Sequence, residues 1–396
     1  MTSPVRVLAA VATLVLVASC SSGGEASPPT PTTVSPAAAD PGELLEPPTE
    51  FVGYSALDEL TSAAVTVRYR STSARDGSPT AVTGVVFVPN GTPPDAGWPV
   101  VAIGHATSGT ASRCAPSTHM GLLGTLPSLL PFLANGYLVT MTDYEGLGTA
   151  DEHPYLDART AGYNVLDSVR AARAVTPDAG ARWVGYGVSQ GGQAVWAANE
   201  AAANYAGELS LLGTLSASPA TDLSPIVDEM VAGTLTEEQI VVLPSLITGM
   251  QVVHPDLVRS DYLRGQLGDR TDVFAACEGE NTALQADIAA RTTPADYAPV
   301  DDAAADRLRG WLREARVPTS PASAPMFVGY GEEDRLTLPQ WTIDAARDAC
   351  ELGSTVLLRG APGQGHGILD FGAAPAEWFR DRFAGLPAPT SCAEVR

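Results

Sequence analysis

Gly187-Val188-Ser189-Gln190-Gly191 is the one G-x-S-x-G pattern in the chain, and its surroundings give it chemical meaning. Arg182-Trp183-Val184-Gly185-Tyr186 reads as a strand before it, and alanine-rich Gln190–Ala203 as a helix after it. A serine on such a sharp turn stands clear of its neighbours, and the flanking glycines let the backbone cross closely. A serine hydroxyl needs a base at neutral pH, and that base needs an orienting acid. On a turn of this kind the acid and then the histidine follow the serine in the chain. Of the five histidines, only His254 and His366 come later, and His254 falls within a long helical stretch. His366 lies in Pro362-Gly363-Gln364-Gly365-His366-Gly367, directly after the last strand, and is the expected base. The acid should follow the preceding strand, where Gly331-Glu332-Glu333-Asp334-Arg335 offers three carboxylates. Asp334 is the choice and Glu333 the fallback. Tetrahedral oxyanions need two N–H donors. Gln190 supplies one, and Gly104-His105-Ala106-Thr107-Ser108-Gly109 the other, through Thr107 or else Ala106.

Composition removes the competing chemistries. All 23 basic residues are arginine, so Schiff-base, Ser–Lys and P-loop lysine mechanisms are excluded. A net charge of −22 argues against a nucleic-acid partner. No H-E-x-x-H or C-x-x-C pair is present, so no metal is expected. Asp143 and Glu145 read as loop-ordering carboxylates beside the serine turn.

The elements that must position these groups follow an amino-terminal leader. Leu8–Ala18 is an apolar run too short to span a bilayer. It ends in Leu16-Val17-Ala18-Ser19-Cys20, which resembles the lipobox of bacterial lipoproteins, with Cys20 the acylated thiol. Residues 1–19 are thus expected to be a signal peptide, with the mature protein exported and anchored at the cell surface or released. Residues 20–50, rich in Pro, Ser and Thr, read as a disordered tether. A hairpin, Ala64–Tyr69 with Ala81–Pro89, opens the folded part. Buried-strand candidates Val100–Ile103, Leu138–Met141, Trp183–Gly185, Leu211–Leu215, Met326–Gly329 and Thr355–Leu358 then alternate with helical periodicity over Leu156–Val175, Gln190–Ala203 and Trp341–Cys350. That alternation predicts an α/β fold, a mostly parallel sheet with helices on both faces. Residues 51–221 and 321–396 form this domain, and 222–320 read as a helical cap insertion. Within the cap, Ile226, Met230, Leu246, Ile247 and Met250 suit either the cap's own core or an acyl pocket.

Several segments together resemble the secretory lipase family of α/β-hydrolases, a fungal and actinobacterial group. They are Gly104–Gly109 leading to Cys114-Ala115-Pro116-Ser117, Asp143-Tyr144-Glu145-Gly146-Leu147-Gly148-Thr149, Glu152-His153-Pro154-Tyr155-Leu156, and the serine turn ending Gln190-Gly191-Gly192-Gln193. The likeness runs from about Tyr54 to Cys392. It implies hydrolysis of carboxylic esters, often acylglycerols, without a cofactor, by Ser189, Asp334 and His366. Two departures stand out: Ala106 replaces a usual glycine, and Pro339 lies five residues past the acid instead of four. Beyond Cys20 four cysteines remain, and an even number in an exported chain implies disulfides. Three pairings are open by count. Joining Cys350 to Cys392 would pin the tail and leave Cys114 for Cys277, and the resemblance implies the same pairs. The expected activity is that of an exported serine carboxylic-ester hydrolase on lipid esters. An acyltransferase or peptidase using the same triad is the alternative. A non-catalytic lipid-binding surface protein is a further alternative.

Overall fold

The computed structural model describes residues 40–395. The signal segment, Cys20 and the tether through residue 39 lie outside the described residues. Nine strands form one sheet: β1 (Thr49–Glu50), β2 (Thr61–Thr72), β3 (Pro79–Pro89), β4 (Trp98–Gly104), β5 (Leu138–Thr142), β6 (Ala179–Val188), β7 (Ser210–Ala217), β8 (Met326–Gly331) and β9 (Val356–Ala361). Their spatial order is β1-β2-β3-β5-β4-β6-β7-β8-β9. The expected hairpin is β2 and β3, antiparallel over its length, and β3 runs antiparallel to β5. From β5 to β9 every pairing is parallel.

Alternation along the central strands sends side chains to two different cores. On β6, Trp183 faces α3 (Ala158–Val175) and α4 (Gln190–Tyr205), while Val184 faces α2 (Leu126–Ala134) and α13 (Ala374–Phe383). A short α1 (Ser55–Leu60) precedes β2, and α12 (Pro339–Glu351) joins β8 to β9. The sequence pattern hid α2 because Pro127 and Pro131 interrupt it. Pro127 occupies the first turn, where no intrahelical N–H is lost, but Pro131 lies inside.

Residues 40–50 correct the expected tether. Leu45 N–H donates to Arg68 O at 2.8 Å, Arg70 N–H donates to Glu43 O at 2.9 Å, and Thr49–Glu50 pair with β2. Average composition concealed the cause: Leu44 packs on the sheet core and Phe51 is buried, so ordered structure begins by Asp40.

Between β7 and β8 the chain forms α5 (Ile226–Ala232), α6 (Glu237–Val253), α7 (Gly265–Asp269), α8 (Thr271–Phe274), α9 (Thr282–Arg291), α10 (Pro294–Tyr297) and α11 (Asp302–Glu314). Ile226, Met230, Leu246, Ile247 and Met250 are buried among these helices. They form the cap's own core. A disulfide between Cys114 and Cys277 ties this layer to the loop after β4, across 163 residues. Beside it Thr110 and Ala111 N–H donate to Ala275 O, and Glu278 N–H donates to Ser108 O. A second disulfide joins Cys350 to Cys392, so the tail is held against α12.

Closing a loop as long as that between Cys114 and Cys277 contributes up to about 5 kcal/mol in the chain-entropy model, less when the reduced chain retains structure. Cys114→Ser with Cys277→Ser should therefore lower stability by about 2–5 kcal/mol in denaturant melts. An unchanged midpoint would show that the surrounding backbone bonds alone hold the cap.

Candidate active site

Ser189 joins β6 to α4 with φ 55° and ψ −119°, a conformation rare for residues with a side chain. Sterics on both sides impose it. A Cβ on Gly187 would stand 2.1 Å from Gly191 O, and one on Gly191 would stand 1.9 Å from Gly104 O. Only glycines allow α4 to begin this close to the end of β4. Hydrogen bonds hold the turn: Ser189 N–H donates to Ala217 O at 2.9 Å, and Gln193 N–H donates to Ser189 O at 3.1 Å. The serine thereby lies at the amino end of a 16-residue helix, whose dipole favours negative charge there.

His366 Nε2 lies 2.8 Å from Ser189 Oγ, and His366 Nδ1 lies 2.8 Å from Asp334 Oδ2. The three side chains sequence reasoning chose are thus hydrogen-bonded in series. Burial separates the carboxylates after β8: Asp334 is buried, whereas Glu332 and Glu333 are exposed. Asp334 Oδ1 accepts from Leu336 N–H and Thr337 N–H, each at 2.9 Å, and Oδ2 accepts from Thr337 Oγ1 at 3.0 Å. That turn aims one carboxylate oxygen at the imidazole. Thr337, whose Oγ1 also lies 3.3 Å from His366 Nδ1, was not read from the sequence. Its signal was the Asp334-Arg335-Leu336-Thr337 spacing, in which an Asx side chain closes its own turn. The cap reaches this loop too, since Thr236 Oγ1, which caps α6, donates to Arg335 O at 2.8 Å.

A cavity of about 360 Å³ opens beside these atoms, bounded by Ala106, Thr107, Leu123, Ser189, Val242 and His366 among others. Thr107 is in its wall, and Gln190 starts the helix directly after Ser189. One segment holds both side chains. Tyr155 OH lies 2.7 Å from Thr107 Oγ1, and His153 Nε2 lies 3.1 Å from Gln190 Nε2. His153 Nδ1 faces the Glu145 carbonyl at 2.7 Å, so Nδ1 donates and Nε2 accepts from the Gln190 amide. Burial pushes the His153 pKa down to about 4, in keeping with a neutral ring. Neither contact is legible in the segment Glu152-His153-Pro154-Tyr155-Leu156 alone, because both partners are distant in the chain.

Asp143 and Glu145 order loops. Asp143 is buried, accepting from Ser117 N–H at 2.9 Å and from the hydroxyls of Thr83 and Ser117. Glu145 pairs with Arg75. His105 packs against Tyr144 with the rings tilted by 38°, and His254 stacks on Trp311 in the cap. Among the described residues no group of three His, Cys, Asp or Glu gathers as a metal site would require.

The family model for secretory lipases matches residues 123–258. A Mycobacterium tuberculosis protein named a probable inactive lipase is 31% identical over 238 residues, 56% of this chain and 50% of its own length. A secreted triacylglycerol lipase of Malassezia globosa is 30% identical over 177 residues, 42% of this chain and 37% of its own. The chain thus spans half or less of the length of these two relatives. Lipase A of Arthroderma benhamiae is 25% identical over 383 residues, 89% of this chain and 78% of its own. Among solved structures, Candida antarctica lipase A in its closed state superposes with a TM-score of 0.70 at 16% identity, covering 89% of this chain and 84% of that one. A variant of the rice cell wall degrading esterase of Xanthomonas oryzae gives 0.68 at 18% identity, with 82% and 92% covered. The chain has the α/β-hydrolase fold, and the resemblance to the secretory lipases is upheld by the family match and these relatives.

His153 generates a test of the packing behind Gln190. Its folded pKa of about 4 lies below the unfolded value near 6.5. Protons therefore bind the unfolded chain first as pH falls, and stability is lost between about pH 6.5 and 4. Over that window the wild type should lose up to about 3 kcal/mol more stability than His153→Asn. Parallel pH–stability curves would contradict a buried neutral imidazole.

Proposed function

We propose that the protein is an exported serine hydrolase of carboxylic esters, acting on acylglycerols or other lipid esters. The observation that carries this reading is the series Asp334–His366–Ser189, closed by two contacts of 2.8 Å beside an open cavity. Ser189 Oγ attacks the ester carbonyl while His366 Nε2 takes its proton, and Asp334 orients the ring and stabilises the imidazolium. The carbonyl oxygen, now an anion, is received by the N–H groups of Gln190 and Thr107. Each such donor typically stabilises the transition state by about 3–4 kcal/mol. His366 returns the proton to the leaving alcohol. The acyl group stays on Ser189 until water, deprotonated by His366, releases it as the acid.

Support for the substrate class comes from the relatives, which include secreted triacylglycerol lipases and a lipase A. Export is supported by the secretory family description and by the apolar leader, and anchoring through Cys20 is proposed on the Leu16–Cys20 pattern. One relative carries the name of a probable inactive lipase. The unbroken hydrogen-bond series in this chain favours activity.

Ser189→Ala should lower kcat/KM for nitrophenyl esters at least about a thousandfold while leaving the melting curve unchanged. A fluorophosphonate should label wild-type Ser189 and leave the variant unlabelled. Turnover retained within about tenfold of wild type would remove the serine from the chemistry.

A further inference from the structure

The two N–H groups assigned to the oxyanion are held in different ways. Gln190 opens α4, so the helix fixes its N–H. Thr107 lies in the irregular chain between β4 and Ser112, outside any helix or strand. Thr110 and Ala111 N–H donate to Ala275 O, but the Thr107 N–H has no backbone acceptor among the described residues. A donor that must be aimed to within about 0.5 Å therefore depends on what holds the Thr107 side chain.

That side chain is held by Tyr155, whose OH lies 2.7 Å from Thr107 Oγ1 and has no other partner among the described residues. Burial pushes the phenol pKa up to about 12, so the hydroxyl keeps its proton throughout the neutral range. Tyr155 is itself fixed from two sides. Its N–H donates to His153 O at 2.8 Å, and its ring is buried in the apolar core of the cap with Leu246 and Met250. Helix α6 crosses it as bare backbone at Gly249, where a Cβ would stand 2.6 Å from both Tyr155 O and Tyr155 Cβ. A continuous line of contacts thus runs from α6 through Tyr155 to Thr107.

We infer that Tyr155 is a positioning residue of the oxyanion site: seated against cap helix α6, it fixes Thr107 so that the Thr107 N–H receives the ester oxygen as its charge develops. The inference rests on Ser189 and Thr107 acting as proposed above. Tyr155 touches Thr107 and not the ester. The cap is then part of the machinery that stabilises the transition state as well as a cover over Ser189. Because the ground-state carbonyl draws little on this donor, loss of the Tyr155–Thr107 bond falls on kcat and spares KM.

Tyr155→Phe and Thr107→Val break the same hydrogen bond from opposite ends, each with little change of shape, so either variant tests it if the other fails to fold. With nitrophenyl butyrate each should lower kcat about tenfold and leave KM within about twofold. The double variant should be no slower than the worse single one, within about threefold, because one bond is lost in all three. Thr107→Ser keeps the hydroxyl and should retain kcat within about threefold. A trifluoromethyl ketone, which Ser189 converts to a tetrahedral oxyanion, should bind about tenfold more weakly to Tyr155→Phe and Thr107→Val. Losses that multiply in the double variant, or a loss confined to KM or to the melting temperature, would overturn the inference. So would unchanged kcat and ketone affinity in the single variants, and the hydrolase reading would stand. A wild type that neither turns over the ester nor binds the ketone would overturn the hydrolase reading, and the role of Tyr155 with it.

Discussion

The contact of Gly191 with Gly104 is the constraint on which the site depends. A side chain at Gly191 would stand 1.9 Å from the Gly104 carbonyl, so the helix start and the end of β4 can touch only as bare backbone. That approach forces the chain to turn through Ser189 in a left-handed conformation, which costs energy of order 1–3 kcal/mol. The cost is offset by neighbours that over-determine the turn, chiefly the Ala217 carbonyl on β7 and the first turn of α4. The same approach brings Thr107, three residues past Gly104, into the wall of the cavity beside Ser189.

Parallel strands deliver the other groups to the same edge. β8 and β9 pair in register from Met326–Val356 to Gly331–Ala361, so the loops bearing Asp334 and His366 emerge side by side. Gly331 lies close beneath the second loop, where a Cβ would meet Gly365 O at 2.2 Å. A buried carboxylate with several donors is rigid as well as satisfied, and its remaining contact fixes the imidazole. On the far side, His153 and Tyr155 grip the side chains of Gln190 and Thr107. Short loops at the ends of the parallel strands thus carry every group that would touch an ester.

Much of this was legible in the sequence because it rests on local pattern. The glycines around Ser189, the alternation of apolar runs with helical periodicity, and the loop ends holding Asp334 and His366 are all written in consecutive residues. What escaped depends on tertiary neighbours. Thr337 acquires its part only when the Asp334 turn meets His366. His153 acquires its part from Gln190, 37 residues away in the chain. The prolines in α2 obscured a helix that packing secures, and Leu44 with Phe51 ordered a segment whose composition suggested a tether. The cap's apolar residues could serve either of two ends, and only the packed structure shows them facing one another.

The central claim is that Ser189, His366 and Asp334 work as one unit. The most direct measurement is kcat/KM for a nitrophenyl ester in Ser189→Ala, His366→Ala and the double variant. Groups that act as a unit are lost together, so the double variant should be no slower than the worse single variant, within about threefold. Losses that multiply would contradict the claim, because they would mean that the serine and the histidine contribute to the reaction independently.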